Sequence, residues 1–208
     1  GGLEIDPIRQ ILMMVTGKAD HRLGIGAVYP AHQAQHDHGD DAAAPRRAQD
    51  DHAPVFFWPS RLDPVQKGCQ LLSEILYNTV SRYSEQNLEI VFVADGEFQR
   101  HFNDIVRFHD LSDRVAVCSF NKRLARLAYG ASDFVLMPSR FEPCGLPQMI
   151  APIYGALPVA HDTGGIHDTI RDLDVELNSG NGFLFNTFDE NGLFWAIDQA
   201  IQFYHLGT

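Results

Sequence analysis

Basic side chains are scarce in this 208-residue chain, and their scarcity excludes one class of partner. The chain has 16 Lys and Arg residues against 27 Asp and Glu residues, which gives a formal net charge of −11 at pH 7. Nucleic-acid binding needs a basic surface that neutralises phosphates, so we do not expect this chain to bind DNA or RNA. A small phosphorylated ligand remains compatible, because a few well-placed cations and backbone amides can bind it.

Cysteines and long apolar runs are also few. The three cysteines, Cys69, Cys118 and Cys144, are widely spaced and form no Cys-x-x-Cys pair. This pattern predicts neither a disulfide framework nor a zinc site, and it favours a reducing cytoplasm. No run approaches the roughly 20 apolar residues of a membrane span, and residues 1–7 lack the basic start of a signal peptide. We therefore expect a cytoplasmic protein without a membrane partner.

The composition changes between residues 31 and 53, a stretch rich in His, Asp and Ala that has no apolar periodicity. Such a composition predicts a flexible linker that is dispensable for folding. The linker separates a leader of unassigned role, residues 1–30, from a single domain over residues 54–208. His32, His36 and His38 could ligate a metal, but a flexible segment fixes no ligand geometry, so we predict no metal site there.

From residue 54 onward, short β-branched and aromatic runs alternate with segments of helical period. Strands are predicted at 55–58, 90–94, 115–118, 134–137, 157–160 and 182–185. Helices are predicted at 71–83, 97–108, 122–130, around Met149, at 165–170 and at 190–204. This alternation predicts an α/β fold, a Rossmann-like parallel sheet with helices on both faces. Ligands of such sheets bind beyond the carboxyl ends of the strands.

The first predicted strand leads into a loop that carries two cations, Arg61 and Lys67. A guanidinium can bind phosphate oxygens through two parallel hydrogen bonds, and an ammonium adds a point charge. Taken alone the two residues are ambiguous, because a surface Arg and Lys are more often solvated or in weak ion pairs than bound to phosphate. After the second strand, Gly96 permits close approach of the backbone before the next helix begins.

The fourth predicted strand is followed by Pro-Ser-Arg-Phe-Glu-Pro-Cys-Gly-Leu-Pro-Gln over residues 138–148. Its Pro-braced turn would direct the amides of Cys144, Gly145 and Leu146 toward one point, as an anion or hydroxyl ligand requires. Glu142 beside the turn could accept hydrogen bonds from sugar hydroxyls. The alternative is a carboxylate that only complements a helix N-terminus.

The fifth predicted strand is followed by Thr163, Gly164 and Gly165, which open another helix. Backbone amides at such a start can bind phosphate. One Gly-Gly turn is common, but three candidate ligand loops after parallel strands of one short domain are unusual.

Together these segments resemble the bacterial glycogen synthases and plant starch synthases. The resemblance rests on Ser-Arg-Leu with Gln-Lys-Gly, then Pro-Ser-Arg-Phe-Glu-Pro-Cys-Gly-Leu-x-Gln, then Thr-Gly-Gly-x-x-Asp-Thr, in this order over about residues 55–204. It implies the C-terminal, donor-binding half of a two-domain GT-B glycosyltransferase. Members of that family transfer glucose from ADP-glucose or UDP-glucose to an α-1,4-glucan acceptor, with retention and without a metal or other cofactor.

The resemblance also assigns roles to residues. It implies that Arg61 and Lys67 bind the diphosphate of the donor and that Glu142 binds the transferred hexose. Replacing either cation by Ala is expected to weaken nucleotide binding with little change in stability. The remaining nucleotide-sugar contacts that it implies are Gly96, Phe120 at a position where relatives often carry a Tyr against the base, Cys144, Gly145, Leu146, Thr163, Gly164 and Gly165.

Two departures from related patterns matter. Ile150 stands where the wider Glu-x7-Glu glycosyltransferases have a second carboxylate, which favours the glycogen synthase branch. Cys144 in Glu-Pro-Cys-Gly argues against the sucrose and mannosyl transferase relatives, which usually have Phe or another residue there. Residues 1–53 contain no Lys-x-Gly-Gly loop, so an acceptor-binding N-terminal half is expected in a longer parent or on a separate chain. A non-catalytic nucleotide-sugar or glucan-binding module remains the alternative.

Overall fold

Strands and helices alternate along the chain in the computed structural model, which describes residues 53–177 and 179–206. The strands are β1 (Val55–Trp58), β2 (Glu89–Val93), β3 (Val115–Cys118), β4 (Phe134–Met137), β5 (Leu157–His161) and β6 (Phe183–Phe185). The helices are α1 (Cys69–Arg82), α2 (Gln99–Phe108), α3 (Lys122–Ala131), α4 (Pro147–Ile153), α5 (Gly164–Thr169) and α6 (Glu190–Leu206).

The six strands form one parallel sheet in the order β3-β2-β1-β4-β5-β6. This is the strand order of a Rossmann fold, in which the direction of winding reverses between β1 and β4. The predicted α/β class and parallel sheet are confirmed. A crevice at the carboxyl ends of β1 and β4 is the place where such a sheet binds ligands.

The strands are continuously apolar because helices cover both faces of the sheet. In β1, Phe56 and Trp58 pack on one face against α1, α2 and α6. Val55 and Phe57 point to the other face, where α3, α4 and α5 cover them. All four side chains are buried, so the strand has two inner faces and no face in solvent.

Element boundaries differ from the predicted ones by one or two residues. Strand β2 lies one residue earlier than predicted, because the Glu89 amide already donates to the Pro54 carbonyl oxygen across the sheet (3.0 Å). Ala53 was expected to end the linker, but it is buried in the domain. The predicted leader, the remainder of the predicted linker, and His32, His36 and His38 lie outside the described residues.

Two features are absent from the described residues. No helix in 53–177 or 179–206 is both long and apolar enough to cross a membrane. The same part of the chain holds no cluster of three or more His, Cys, Asp or Glu side chains that could bind a metal ion.

Candidate functional site

The loops that follow β1 and β4 are joined at the carboxyl edge of the sheet. The Arg140 amide donates to the Gln66 carbonyl oxygen (2.8 Å), and the Gln66 side-chain Nε2 donates to the Phe141 carbonyl oxygen (3.2 Å). These contacts bring together segments that are about 75 residues apart in sequence. The crevice that the topology predicts is therefore lined by the two segments in which the sequence placed Lys67 and Glu142.

Lys67 and Glu142 form an ion pair in this crevice. The Lys67 Nζ lies 2.6 Å from the Glu142 Oε2, and the two side chains are only 12% and 10% exposed. The Ser139 hydroxyl donates to the same carboxylate oxygen (3.1 Å). No donor from the described part of the chain reaches Glu142 Oε1, so the carboxylate is held by one oxygen and can accept from a ligand through the other.

This pair revises the expected effect of replacing Lys67. A cation removed from a largely buried pair leaves its carboxylate without compensation, which is strongly destabilising. We had expected Lys67→Ala to leave stability nearly unchanged, as for a solvated surface residue. Unchanged stability is still expected for Arg61→Ala, because Arg61 is exposed.

The loop that carries Arg61 is held in shape by Asp63. One carboxylate oxygen of Asp63 accepts from the amides of Val65 (2.9 Å) and Gln66 (2.7 Å). These two hydrogen bonds are the main reason that the pKa of Asp63 is lowered, and the nearby charges of Arg61 and Lys67 add to the effect. Among the described residues Arg61 has no hydrogen-bond or ion-pair partner, so its guanidinium is available to an anionic ligand.

The turn from Cys144 to Leu146 follows Glu142. Gly145 has φ +67°, a left-handed conformation that favours glycine. No acceptor in the described ranges bonds to the amides of Cys144, Gly145 or Leu146, which leaves them available to a ligand. The helices that follow this turn and the Thr-Gly-Gly segment, α4 and α5, have only seven and six residues. Helices this short contribute little dipole to an anion site, so an anion bound here would depend mainly on the cations Arg61 and Lys67.

Gly164 and Gly165 allow α5 to approach the Glu142 loop closely. A Cβ atom on Gly164 would lie 2.2 Å from the Glu142 carbonyl oxygen, and one on Gly165 would lie 2.4 Å from the Cys144 carbonyl oxygen. The Gly165 amide donates to the Glu142 carbonyl oxygen (2.8 Å). That amide is therefore occupied within the protein, and Gly165 also allows the close packing of α5 against the Glu142 loop. The Thr163 hydroxyl lies 3.5 Å from the Arg140 carbonyl oxygen.

The other predicted ligand residues lie along the β2 and β3 ends of the same edge. Asp95, directly after β2, accepts the Phe120 amide through its side chain (2.9 Å). Its carbonyl oxygen accepts the Leu62 amide (3.0 Å), and Gly96 lies against the Leu62 carbonyl oxygen. The Phe120 ring is 58% exposed and so can stack on a planar ligand. The loops that carry the predicted site residues therefore lie in one row along this edge, and each loop contacts the next.

Sequence reasoning did not assign roles to Asp95, Ser139, Gln148 and His161. The His161 Nδ1 lies 2.9 Å from the Ser139 carbonyl oxygen, and it must donate because a carbonyl oxygen only accepts. Asp95 and Ser139 come within two residues of strand ends, and His161 is the last residue of β5. A polar residue at the carboxyl end of a parallel strand was the available signal. Gln148 had a different signal, its place in the Glu-Pro-Cys-Gly-Leu-x-Gln motif.

Comparison with known proteins identifies the family. Residues 53–202 match the family described as "Glycosyl transferases group 1". The chain belongs to this family. The resemblance of its motifs to the glycogen synthases is also confirmed, because similar proteins carry that name.

Three relatives give the extent of the similarity. Glycogen synthase of Bacillus subtilis (strain 168) is 39% identical over 142 residues, which cover 67% of this chain and 28% of that protein. Glycogen synthase 2 of Methylococcus capsulatus (strain ATCC 33009 / NCIMB 11132 / Bath) is 38% identical over 160 residues, 75% of this chain and 32% of that protein. The catalytic domain of starch synthase IV from Arabidopsis thaliana, a structure bound to ADP and acarbose, is 34% identical with a TM-score of 0.64 and covers 76% of this chain and 32% of that one. The chain therefore spans less than a third of the length of these relatives.

Proposed function

We propose that this chain supplies the donor-binding half of a retaining glucosyltransferase of the glycogen or starch synthase type. The reaction would move glucose from ADP-glucose or UDP-glucose to the end of an α-1,4-glucan. An acceptor-binding half with a second Rossmann-like domain would come from a longer parent protein or from a separate chain.

The observation that carries the proposal is the Lys67–Glu142 pair at the crevice between β1 and β4. It holds a cation and a carboxylate 2.6 Å apart, next to a turn with available amides. A donor such as ADP-glucose has an anionic diphosphate bonded directly to a hexose, so it requires these two kinds of group side by side. The bound ADP of the similar starch synthase IV structure agrees with a nucleotide ligand.

In this proposal Arg61 and Lys67 bind the diphosphate. When the bond between the sugar C1 and the phosphate oxygen breaks, its electron pair goes to the diphosphate, whose negative charge increases. Cations that are already in position stabilise that charge at no cost in reorganisation. Lys67 has three N–H donors and uses one on Glu142, so it can serve the carboxylate and a phosphate at the same time.

Glu142 and the Cys144–Leu146 turn would hold the hexose. The Glu142 Oε1 accepts from a sugar hydroxyl, and the turn amides donate to sugar oxygens. The acceptor hydroxyl must approach C1 within a cleft that excludes water, and such positioning lowers the barrier by several kcal/mol. Only one wall of such a cleft is built from the described residues, so the second wall is part of the proposal.

The proposal includes a cytoplasmic location and no metal or other cofactor. All three cysteines are free thiols, as a reducing compartment allows. Cations of the protein supply the charge that a metal ion would otherwise provide at a diphosphate. Activity should accordingly persist in EDTA, and a requirement for a divalent metal would contradict this part.

Reconstitution tests the proposal. The purified chain is mixed with the N-terminal half of a family member, and elongation of maltooligosaccharide from ADP-glucose and UDP-glucose is measured. We expect no elongation by the chain alone, elongation in the mixture, and loss of elongation with Glu142→Gln. Glu85→Gln, an exposed carboxylate before β2, is the matched control and should remain active.

The outcomes separate the alternatives. Robust elongation by the chain alone would contradict the half-enzyme proposal. Nucleotide-sugar binding without elongation in any mixture would favour the non-catalytic binding module. Elongation at the parental rate by the mixture that contains Glu142→Gln would contradict the assignment of Glu142 to the hexose.

A further inference from the structure

Gln148 is almost fully buried against the Cys144–Leu146 turn, with 1% of its surface exposed. Its side-chain Nε2 donates to the Cys144 carbonyl oxygen (2.8 Å) and to the Thr169 hydroxyl (3.3 Å). The Thr169 hydroxyl donates in turn to the Gly165 carbonyl oxygen (2.6 Å). A chain of hydrogen bonds therefore runs from the turn through Gln148 to α5.

The turn closes directly over the Gln148 amide group. A Cβ atom on Gly145 would lie 2.3 Å from the Gln148 Oε1 and 2.6 Å from its Nε2. On the other side of the turn, the Cys144 carbonyl group is in close contact with Gly165. The peptide groups of the turn are thus enclosed between Gln148 and α5, and their direction depends on both.

Packing alone does not explain a glutamine at this position. The Gln148 Oε1 is buried and has no hydrogen-bond partner within the described residues. Burial of an unpaired amide oxygen costs free energy that a methionine of similar volume would not incur. The side chain retains a donor to the turn at the cost of an unpaired acceptor, which indicates a role at the ligand site.

We propose that Gln148 is a positioning residue that fixes the Cys144–Leu146 turn so that its amides meet the hexose of the donor. This inference rests on the proposed function. Glu142 precedes the turn, whereas Arg61 lies in the separate loop after β1. Gln148 therefore acts on the sugar end of the donor and leaves the nucleotide end unchanged.

The test compares ligands with and without glucose. Calorimetric titration with ADP, ADP-glucose, UDP and UDP-glucose is carried out on the parent, Gln148→Met and Gln148→Glu. The Met variant keeps the volume and removes both polar atoms, and the Glu variant keeps the shape and removes the donor. Gln86→Met is the matched control, because Gln86 also has a buried unpaired Oε1 but lies before β2 at the opposite edge of the sheet.

We expect both Gln148 variants to lower the affinity ratio of nucleotide-glucose to nucleotide at least fivefold, with nucleotide affinity changed less than twofold. Gln86→Met should leave both affinities unchanged. An unchanged ratio in folded Gln148→Met and Gln148→Glu would overturn the inference. Loss of cooperative melting in both Gln148 variants, with Gln86→Met still folded, would overturn it in favour of a purely structural role.

Amide hydrogen exchange tests the same inference without any ligand. We expect the Gly165 amide, which donates to the Glu142 carbonyl oxygen (2.8 Å), to exchange at least tenfold faster in Gln148→Met than in the parent, and unchanged exchange would overturn the inference. A parent chain that binds none of the four ligands would refute the proposed function, and the exchange rates would still decide whether Gln148 positions the turn.

Discussion

At the residue scale, Arg61 and Lys67 have different surroundings although both are assigned to the diphosphate. Arg61 is exposed, whereas Lys67 is paired with the largely buried Glu142. We predict that Arg61→Ala and Lys67→Ala each weaken nucleotide binding by about 1.5–3 kcal/mol, the scale of a hydrogen bond to a charged group. Calorimetric titration measures this loss, and parental affinity in both variants would contradict the assignment.

The two replacements should differ in stability. Arg61→Ala removes no contact among the described residues, so its midpoint of urea unfolding should match the parent. Lys67→Ala leaves the Glu142 carboxylate buried without its cation and should cost about 3 kcal/mol of unfolding free energy. Replacing both members in Lys67→Met/Glu142→Leu should recover much of that loss. Equal unfolding midpoints for parent and Lys67→Ala would show that the pair contributes nothing.

A pH-dependent interaction is expected at His167. Its Nδ1 lies 2.7 Å from the Asp162 Oδ1, and this hydrogen bond raises the pKa of His167 above the ordinary 6.5. The raised pKa means that the stabilisation is fully present below pH 6.5 and is lost as pH rises through the folded-state pKa. NMR titration of the imidazole should give a midpoint above 6.5 that falls in Asp162→Asn. The same midpoint in parent and variant would contradict the interaction.

Several site residues could be predicted from local sequence, but their partners could not. Arg61, Lys67 and Glu142 stand in distinctive loops after apolar strands, so their residue types indicate phosphate and sugar binding. The pairing of Lys67 with Glu142 joins positions 75 residues apart and depends on the neighbouring positions of β1 and β4. Gln148 belongs to a recognisable motif, yet its contact with Cys144 becomes visible only once the turn is folded.

At the element scale, the close approach of α5 to the Glu142 loop can be tested with two glycines. Gly164 (φ +49°) and Gly155 (φ +85°) both have left-handed backbones, but only Gly164 has atoms within 4 Å of an added Cβ. Both Gly→Ala variants should lose roughly 1 kcal/mol from backbone strain. Gly164→Ala should lose about 1–3 kcal/mol more through steric overlap with the Glu142 backbone.

Ligand affinity separates these two variants further. Gly164→Ala displaces the Glu142 loop and should weaken nucleotide-sugar binding. Gly155→Ala lies between α4 and β5 at the opposite edge and should bind as the parent does. Equal stability and equal affinity in the two variants would show that the approach of α5 does not hold the site.

The elements themselves could largely be predicted from sequence. Apolar runs such as Val55–Trp58 stand out because both faces of a parallel sheet are covered. Boundaries were less accurate where a long-range hydrogen bond decides them, as between Glu89 and Pro54. The predicted apolar face of α1 begins at Leu71, whereas the helix begins at Cys69, which is itself buried in the core.

At the scale of the whole molecule, an acidic chain presents two cations, Arg61 and Lys67, at the carboxyl edge of its sheet. The net charge of −11 opposes polyanions in general. Arg61 and Lys67, both in the loop after β1, nevertheless offer local positive charge to a diphosphate. Molecule-wide charge thus favours a small anionic ligand over a nucleic acid, and the fold determines where the proposed donor would bind.

The most direct test of the central claim is titration of the purified chain with ADP, UDP and their glucose conjugates. The account predicts weak, saturable binding at a single site, weakened by about 1.5–3 kcal/mol in Arg61→Ala and unchanged in Arg100→Ala, an exposed arginine on α2. Absence of binding at millimolar ligand, or equal binding by parent and Arg61→Ala, would contradict the claim that this domain binds a nucleotide-sugar donor through the crevice between β1 and β4.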